Sequence, residues 1–136
     1  MITVLFACLH NAGRSQIAAA LFNRLADPAR ARAISAGTRP AERVHPEVLA
    51  ALVERGIQLG DPRPRRLTPA LASGVGWLVT MGCGDECPVV LGARVEDWPL
   101  EDPKGKPIQR VREIQDEIEE RVRRLIDREG WGPAPA

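Results

Sequence analysis

Ile2 to Ala20, reading ITVLFACLHNAGRSQIAAA, constrains the fold of this chain more than any other stretch. Ile2, Val4, Leu5 and Phe6 form a short apolar run, the pattern of a strand buried on both faces of a parallel sheet. From Ser15 onward, Ile17, Leu21 and Leu25 recur at four-residue spacing, which marks one face of a helix. Only a tight turn fits between them, with Cys8 at its start and Arg14-Ser15 at its end. A strand that feeds a helix through such a turn brings unpaired N–H groups and the positive end of the helix dipole to one point. That point is an anion site.

The residue types decide what the site can do. A nucleotide-binding phosphate loop reads G-x4-G-K-[ST]. The same frame here holds Cys8, Leu9, His10, Asn11, Ala12, Gly13, Arg14 and Ser15. Cysteine replaces the first glycine and arginine replaces the lysine, so a nucleophile lies beside a planar guanidinium fork. Without the lysine, an NTPase is excluded. Arg14 can hold two oxygens of a tetrahedral oxyanion, and Ser15 can donate a hydrogen bond to the Cys8 thiolate. Asn11 is a residue type that tolerates the left-handed backbone of a tight loop. Leu9, His10, Asn11, Ala12, Gly13 and Arg14 are therefore the expected oxyanion-binding segment. The alternative is a buried structural cysteine with a solvated arginine, but it leaves Cys-x5-Arg-Ser between strand and helix unexplained.

The 136 residues are enough for one domain with a real core, expected over 1–129 with a loose tail over 130–136. Charges nearly cancel, at 19 basic against 18 acidic residues, so no global field recruits nucleic acid or an anionic membrane. No segment approaches the ~18 apolar residues of a membrane span, and no signal peptide is read at the start. Three cysteines are too few for a disulfide framework, and they fit working thiols in a reducing cytoplasm.

After the first helix, expected over Ser15 to Ala26, Asp27-Pro28 breaks the pattern. A second strand is expected over Arg32 to Ala36, closed by Gly37. Pro46 opens a helix with Val48, Leu49, Leu52 and Val53 as its apolar face and Gly56 at its end. Gly60 to Arg66 reads as a surface loop whose arginines are solvated. A short helix follows Thr68-Pro69, and Trp77 to Met81 is a third strand. A fourth strand is expected over Arg94 to Asp97, then a loop containing Asp102-Pro103. Pro107 to Glu129 is the clearest helix, with Ile108, Val111, Ile114, Ile118, Val122, Leu125 and Ile126 as its buried stripe.

This order implies an α/β chain: a single three-layer domain with a four-stranded parallel sheet and helices on both faces. Ligands of such sheets sit at the carboxyl edge of the strands. Cys8, Cys83 and Asp102 all fall on that edge, after strands one, three and four. With a phosphate ester, Cys8 would attack phosphorus and Asp102 would protonate the leaving oxygen. With arsenate, a second thiol can attack the sulfur of the Cys8–arsenic adduct and expel arsenite, leaving a disulfide. Cys83 is placed to be that thiol if strands one and three are neighbours, and Cys87 could then attack Cys83. The alternative for Cys83 and Cys87 is an inert or zinc-sharing pair, but a lone C-x3-C lacks a second ligand pair.

Cys8, Asn11, Arg14 and Ser15, Ser35-Ala36-Gly37, Asp102-Pro103, and Cys83 and Cys87 followed by Pro88 together carry a family resemblance. The chain resembles arsenate reductases that share the fold of low-molecular-weight protein tyrosine phosphatases, over nearly its full length. The thioredoxin-coupled branch is the nearest pattern. The resemblance implies thiols acting in the order Cys8, Cys83, Cys87, no bound cofactor, and thioredoxin as the source of electrons. It further implies an arsenate or phosphate-like oxyanion as substrate and a cytoplasmic chain acting as a monomer. The HNAG of the loop resembles members that pass arsenic to a low-molecular-weight thiol such as mycothiol. Members that bind potassium use an acidic residue in the first helix. Gln16-Ile17-Ala18-Ala19-Ala20 stands there, so no metal site carries over. The spacing from Cys83 to Cys87 is shorter than in the best-known members. Tyrosine phosphatases of this fold follow the Asp-Pro with aromatic residues, whereas Lys104-Gly105 follow here.

Overall fold

In the computed structural model, residues 1–83, 90 and 92–133 are described. Four strands, β1 (Ile2–Cys8), β2 (Ala31–Gly37), β3 (Trp77–Thr80) and β4 (Arg94–Asp97), form one parallel sheet in the order β2-β1-β3-β4. The helices are α1 (Arg14–Leu25), α2 (Pro46–Glu54), α3 (Pro69–Ala72) and α4 (Ile108–Glu129). Because every pairing is parallel, each strand ends at the same edge, and β1 lies centrally between β2 and β3.

Alternation along β1 splits the core in two. Val4, Phe6 and Cys8 face a large cluster that includes the buried sides of α1, α2 and α4. Leu5 and Ala7 face the other way, where Ala36, Val75, Leu78 and α3 make a smaller cluster. Helices thus cover both faces, but unequally. On the larger side Phe6 meets Phe22 edge-on at 6.0 Å and Trp98 at 5.5 Å between ring centroids. The α4 stripe is buried as the periodicity requires, with Ile108 only partly covered. Burying each of its fully covered aliphatic side chains stabilises the fold by roughly 1.5–3 kcal/mol.

Two expectations change, and two further contacts are added. Val53 is 52% exposed, and Ala51 completes the buried face of α2 with Val48 and Leu52. A helix of 9 residues shows only a narrow stripe to its neighbours, so a fourth apolar position need not be used. Gln115 is fully buried inside the apolar side of α4, because its amide donates to the Val48 carbonyl and its oxygen accepts from Arg55 Nε. The tail does not come loose at residue 130. Gly130 ends α4 in a left-handed turn (φ 74°), and this directs Trp131 back onto Phe22 and Trp77, each at 5.9 Å. Residues 134–136 lie outside the described residues. The arginines of 60–66 are exposed, as expected, but Arg65 also ties its loop to β2. The Arg65 carbonyl accepts from Gly37 N–H, and Arg65 Nε donates to the Ser35 carbonyl at 2.9 Å.

Among the described residues, no helix is long and apolar enough to cross a membrane.

Candidate active site

The loop from Cys8 to Gly13 joins the end of β1 to the start of α1. Its carbonyl oxygens are all taken by groups outside it. Cys8 O accepts from Thr38 N–H, Leu9 O from Arg39 N–H, His10 O from Ala41 N–H, and Ala12 O from His45 N–H. Gly13 O accepts from Ile17 N–H inside the first turn of α1, and Asn11 O accepts from Gln16 Nε2. In a trans peptide the N–H points opposite to the C=O of the same plane. Carbonyls turned toward the flanking chain therefore aim the N–H groups of residues 9–14 into the loop, the arrangement that binds anions. The segment after β2 thus supplies the donors that turn the loop inside out.

Asn11 holds the loop's sharpest bend. It has φ 51°, a left-handed conformation, and is fully buried. Its Oδ1 accepts from Gln16 Nε2 at 3.2 Å and from the Arg65 backbone N–H at 3.0 Å. Two donors on one atom fix that atom as oxygen, so Nδ2 is the end that donates to Ser15 Oγ at 2.7 Å. Ser15 Oγ, accepting there, keeps its own hydrogen available for Cys8 Sγ, 2.8 Å away. The chain Asn11 to Ser15 to Cys8 thus leaves a hydroxyl donor for the sulfur when Cys8 is the thiolate. Cys8 is a free thiol and 2% exposed.

Arg14 is the first residue of α1, and its side chain is 11% exposed. Its Nη1 donates to the Leu100 carbonyl at 3.1 Å, and its Nη2 lies 3.6 Å from Asp102 Oδ2. The guanidinium therefore joins the Cys8 loop to the loop that carries Asp102. Asp102 also caps its own turn, accepting from Lys104 N–H at 3.0 Å. Pro103 sits so close to Gly13 that a Cβ there would come within 2.7 Å of its ring, which explains glycine at that position. On the far side of the same loop, Glu101 takes Arg110 of α4 through both oxygens. The Arg110 guanidinium holds the Glu101 carboxyl below the usual carboxylate range.

Cys83 follows β3, the neighbour of β1, so the condition set for it in the sequence is met. Met81 N–H donates to the Ala7 carbonyl at 2.8 Å, so the two chains stay paired up to the residues that carry Cys8 and Cys83. Cys83 is buried and disulfide-bonded. Cys87 lies outside the described residues. His45 is the residue before α2, and its ring lies beside Gly13. Among the described residues, no group of three or more His, Cys, Asp or Glu could hold a metal ion.

Several participants escaped the sequence reading. Gln16 ties the loop to the Arg63 carbonyl, and the Leu100 carbonyl seats Arg14. Gly37 lets β2 approach, since a Cβ on it would lie 2.8 Å from Leu9 O and 2.9 Å from Asn11 N. Of these only Gly37 left a signal, as the glycine closing Ser35-Ala36-Gly37. The Arg63 and Leu100 partners are backbone carbonyls, which carry no sequence signature.

The geometry has close counterparts. A thioredoxin-dependent arsenate reductase from Corynebacterium glutamicum is 43% identical over 93% of this chain, with a TM-score of 0.80. The chain spans 61% of that protein's length. An arsenate reductase from Archaeoglobus fulgidus is 38% identical, with 91% of this chain and 98% of that one covered and a TM-score of 0.76. A glutaredoxin arsenate reductase from a Synechocystis species is 31% identical over 129 residues, 93% of this chain and 97% of its own. The family model for the low molecular weight phosphotyrosine protein phosphatase matches residues 3–129. The chain, which carries that family's parallel sheet and a cysteine loop at its carboxyl edge, belongs to the low molecular weight phosphotyrosine protein phosphatase family.

Proposed function

We propose that this protein reduces arsenate to arsenite. The observation that carries the reading is the juxtaposition of two strand ends, with the Cys8 loop after β1 and Cys83 after its hydrogen-bonded neighbour β3. In this reading, arsenate enters the ring of N–H groups from Leu9, His10, Asn11, Ala12, Gly13 and Arg14, and the Arg14 guanidinium takes two of its oxygens. Cys8, as the thiolate, attacks arsenic, and an oxygen leaves as water with a proton from Asp102. Ser15 steadies the sulfur through its hydroxyl.

Cys83 then attacks the Cys8 sulfur. The S–As bond breaks, its electron pair goes to arsenic, and arsenite departs as the Cys8–Cys83 disulfide forms. Attack by Cys87 on Cys83 frees Cys8 again. The electrons come from thioredoxin, as the name of the Corynebacterium relative states for that protein, or from a low-molecular-weight thiol. No resident cofactor is needed, and the chemistry belongs in the reducing cytoplasm, with the chain acting as a monomer.

A second reading, hydrolysis of aryl or tyrosine phosphates through a Cys8–phosphate intermediate, is favoured by the Arg14–Asp102 contact and by the family itself. It needs neither Cys83 nor Cys87.

The test is arsenate-dependent NADPH consumption coupled through thioredoxin and its reductase, run beside a mycothiol or glutaredoxin system. Turnover with thioredoxin is the expected result. Turnover only with the small-thiol system would make the protein a thiol transferase, and aryl phosphate cleavage without reduction would make it a phosphatase. Asp102→Asn is expected to slow p-nitrophenyl phosphate hydrolysis by roughly 100-fold, the scale of a lost general acid, as read from steady-state kcat.

A further inference from the structure

We propose that Gly82 is a positioning residue for the oxyanion site, and that the side chain it lacks is the seat of the Arg14 guanidinium. The inference rests on the reading of the Cys8 loop as an oxyanion site. A Cβ built on Gly82 would overlap that guanidinium, with Cζ 2.8 Å and Nη2 3.1 Å away. The Cζ distance lies inside the closest approach that Cβ atoms make and the Nη2 distance is tight, so the guanidinium, the movable end of Arg14, would have to shift. Gly82 also has φ 93°, a conformation that favours glycine. Two separate demands, one on backbone shape and one on empty space, thus fall on a single residue.

The consequence follows from where the other contacts lie. Arg14 is held by the Leu100 carbonyl and approaches Asp102, both on the loop after β4. Gly82, two residues past the end of β3, lies against the same guanidinium, on the flank where its own Cβ would sit. With a side chain at residue 82, the head group loses that flank and must swing away, taking the bidentate fork out of register with the anion. Gly82 is directly bonded to Cys83, so the residue that seats the anion-binding arginine begins the segment carrying the second thiol. Substitution there is expected to weaken oxyanion binding itself, and not only the thiol exchange that Cys83 performs.

The test reads binding without turnover. Cys8 of the reduced protein is alkylated with iodoacetamide, and the inorganic phosphate needed for half-protection is measured by peptide mass spectrometry. The comparison covers the unaltered chain, Gly82→Ala and Gly82→Asn; asparagine adopts positive φ more readily than alanine, so it relieves backbone strain while keeping the Cβ. Both substitutions are expected to raise the half-protecting concentration by about 10-fold or more, the scale of a lost charge-assisted pair. In an Arg14→Lys background, where the guanidinium is gone, Gly82→Ala should change it by less than about two-fold.

An unchanged half-protecting concentration in both Gly82 variants overturns the inference. So does a full penalty that persists in Arg14→Lys, which would assign the effect to backbone strain. Failure of phosphate to protect Cys8 in the unaltered chain would instead remove the oxyanion-site reading, and this inference with it.

Discussion

Cys8→Ser is expected to abolish arsenate reduction and aryl phosphate hydrolysis together, with the fold intact. Serine keeps the size of the side chain and can still hydrogen-bond Ser15 Oγ, so the buried loop has no cavity to fill. What disappears is the nucleophile, because a hydroxyl ionises far less readily than a thiol. The loss should reach the background rate in both assays, while thermal unfolding stays close to that of the parent. Cys83→Ser separates the two chemistries. Arsenate reduction should fall to background, since the arsenic adduct has no thiol to resolve it, and p-nitrophenyl phosphate hydrolysis should persist. Equal loss of both activities on changing Cys83 would assign it a structural role, and the relay would then be wrong.

Arg14→Ala carries the second largest effect. The guanidinium joins the Cys8 loop to the Asp102 loop, through the Leu100 carbonyl and the Asp102 carboxylate. A donor aimed at developing charge on an oxyanion is typically worth about 10²–10³ in kcat. We expect a loss of that size in both reactions. Arg14→Lys should recover only part of it, because a point charge cannot hold two oxygens in a planar fork. A fall confined to KM, with kcat unchanged, would mean that Arg14 binds the ground state and the transition state equally.

Ser15 shows how far residue types alone could reach. Its hydrogen bond to Cys8 was predictable from spacing, since a serine seven residues after a strand-end cysteine returns to it across a tight turn. That Asn11 donates to Ser15 was not predictable. The orientation of Asn11 is set by Gln16 and the Arg65 backbone from a loop 54 residues away in sequence. The arginines of 60–66 read as a solvated run because charge density is local information, whereas their backbone pairs with Gly37 through tertiary placement. Trp131 is a parallel case. Seven residues after a helix end look loose in composition, yet a left-handed glycine turns the aromatic ring back onto the core.

The sequence by itself determined the strand–loop–helix unit, the parallel order of elements, and the nucleophile–guanidinium pair. All of these follow from periodicity and residue type within a few neighbouring positions. Only the tertiary structure decided which carbonyls turn the loop's N–H groups inward, which loop supports Asn11, and where the Arg14 head group rests. Those choices depend on backbone groups and on empty space beside glycines, and neither is written in the identity of the residues that use them.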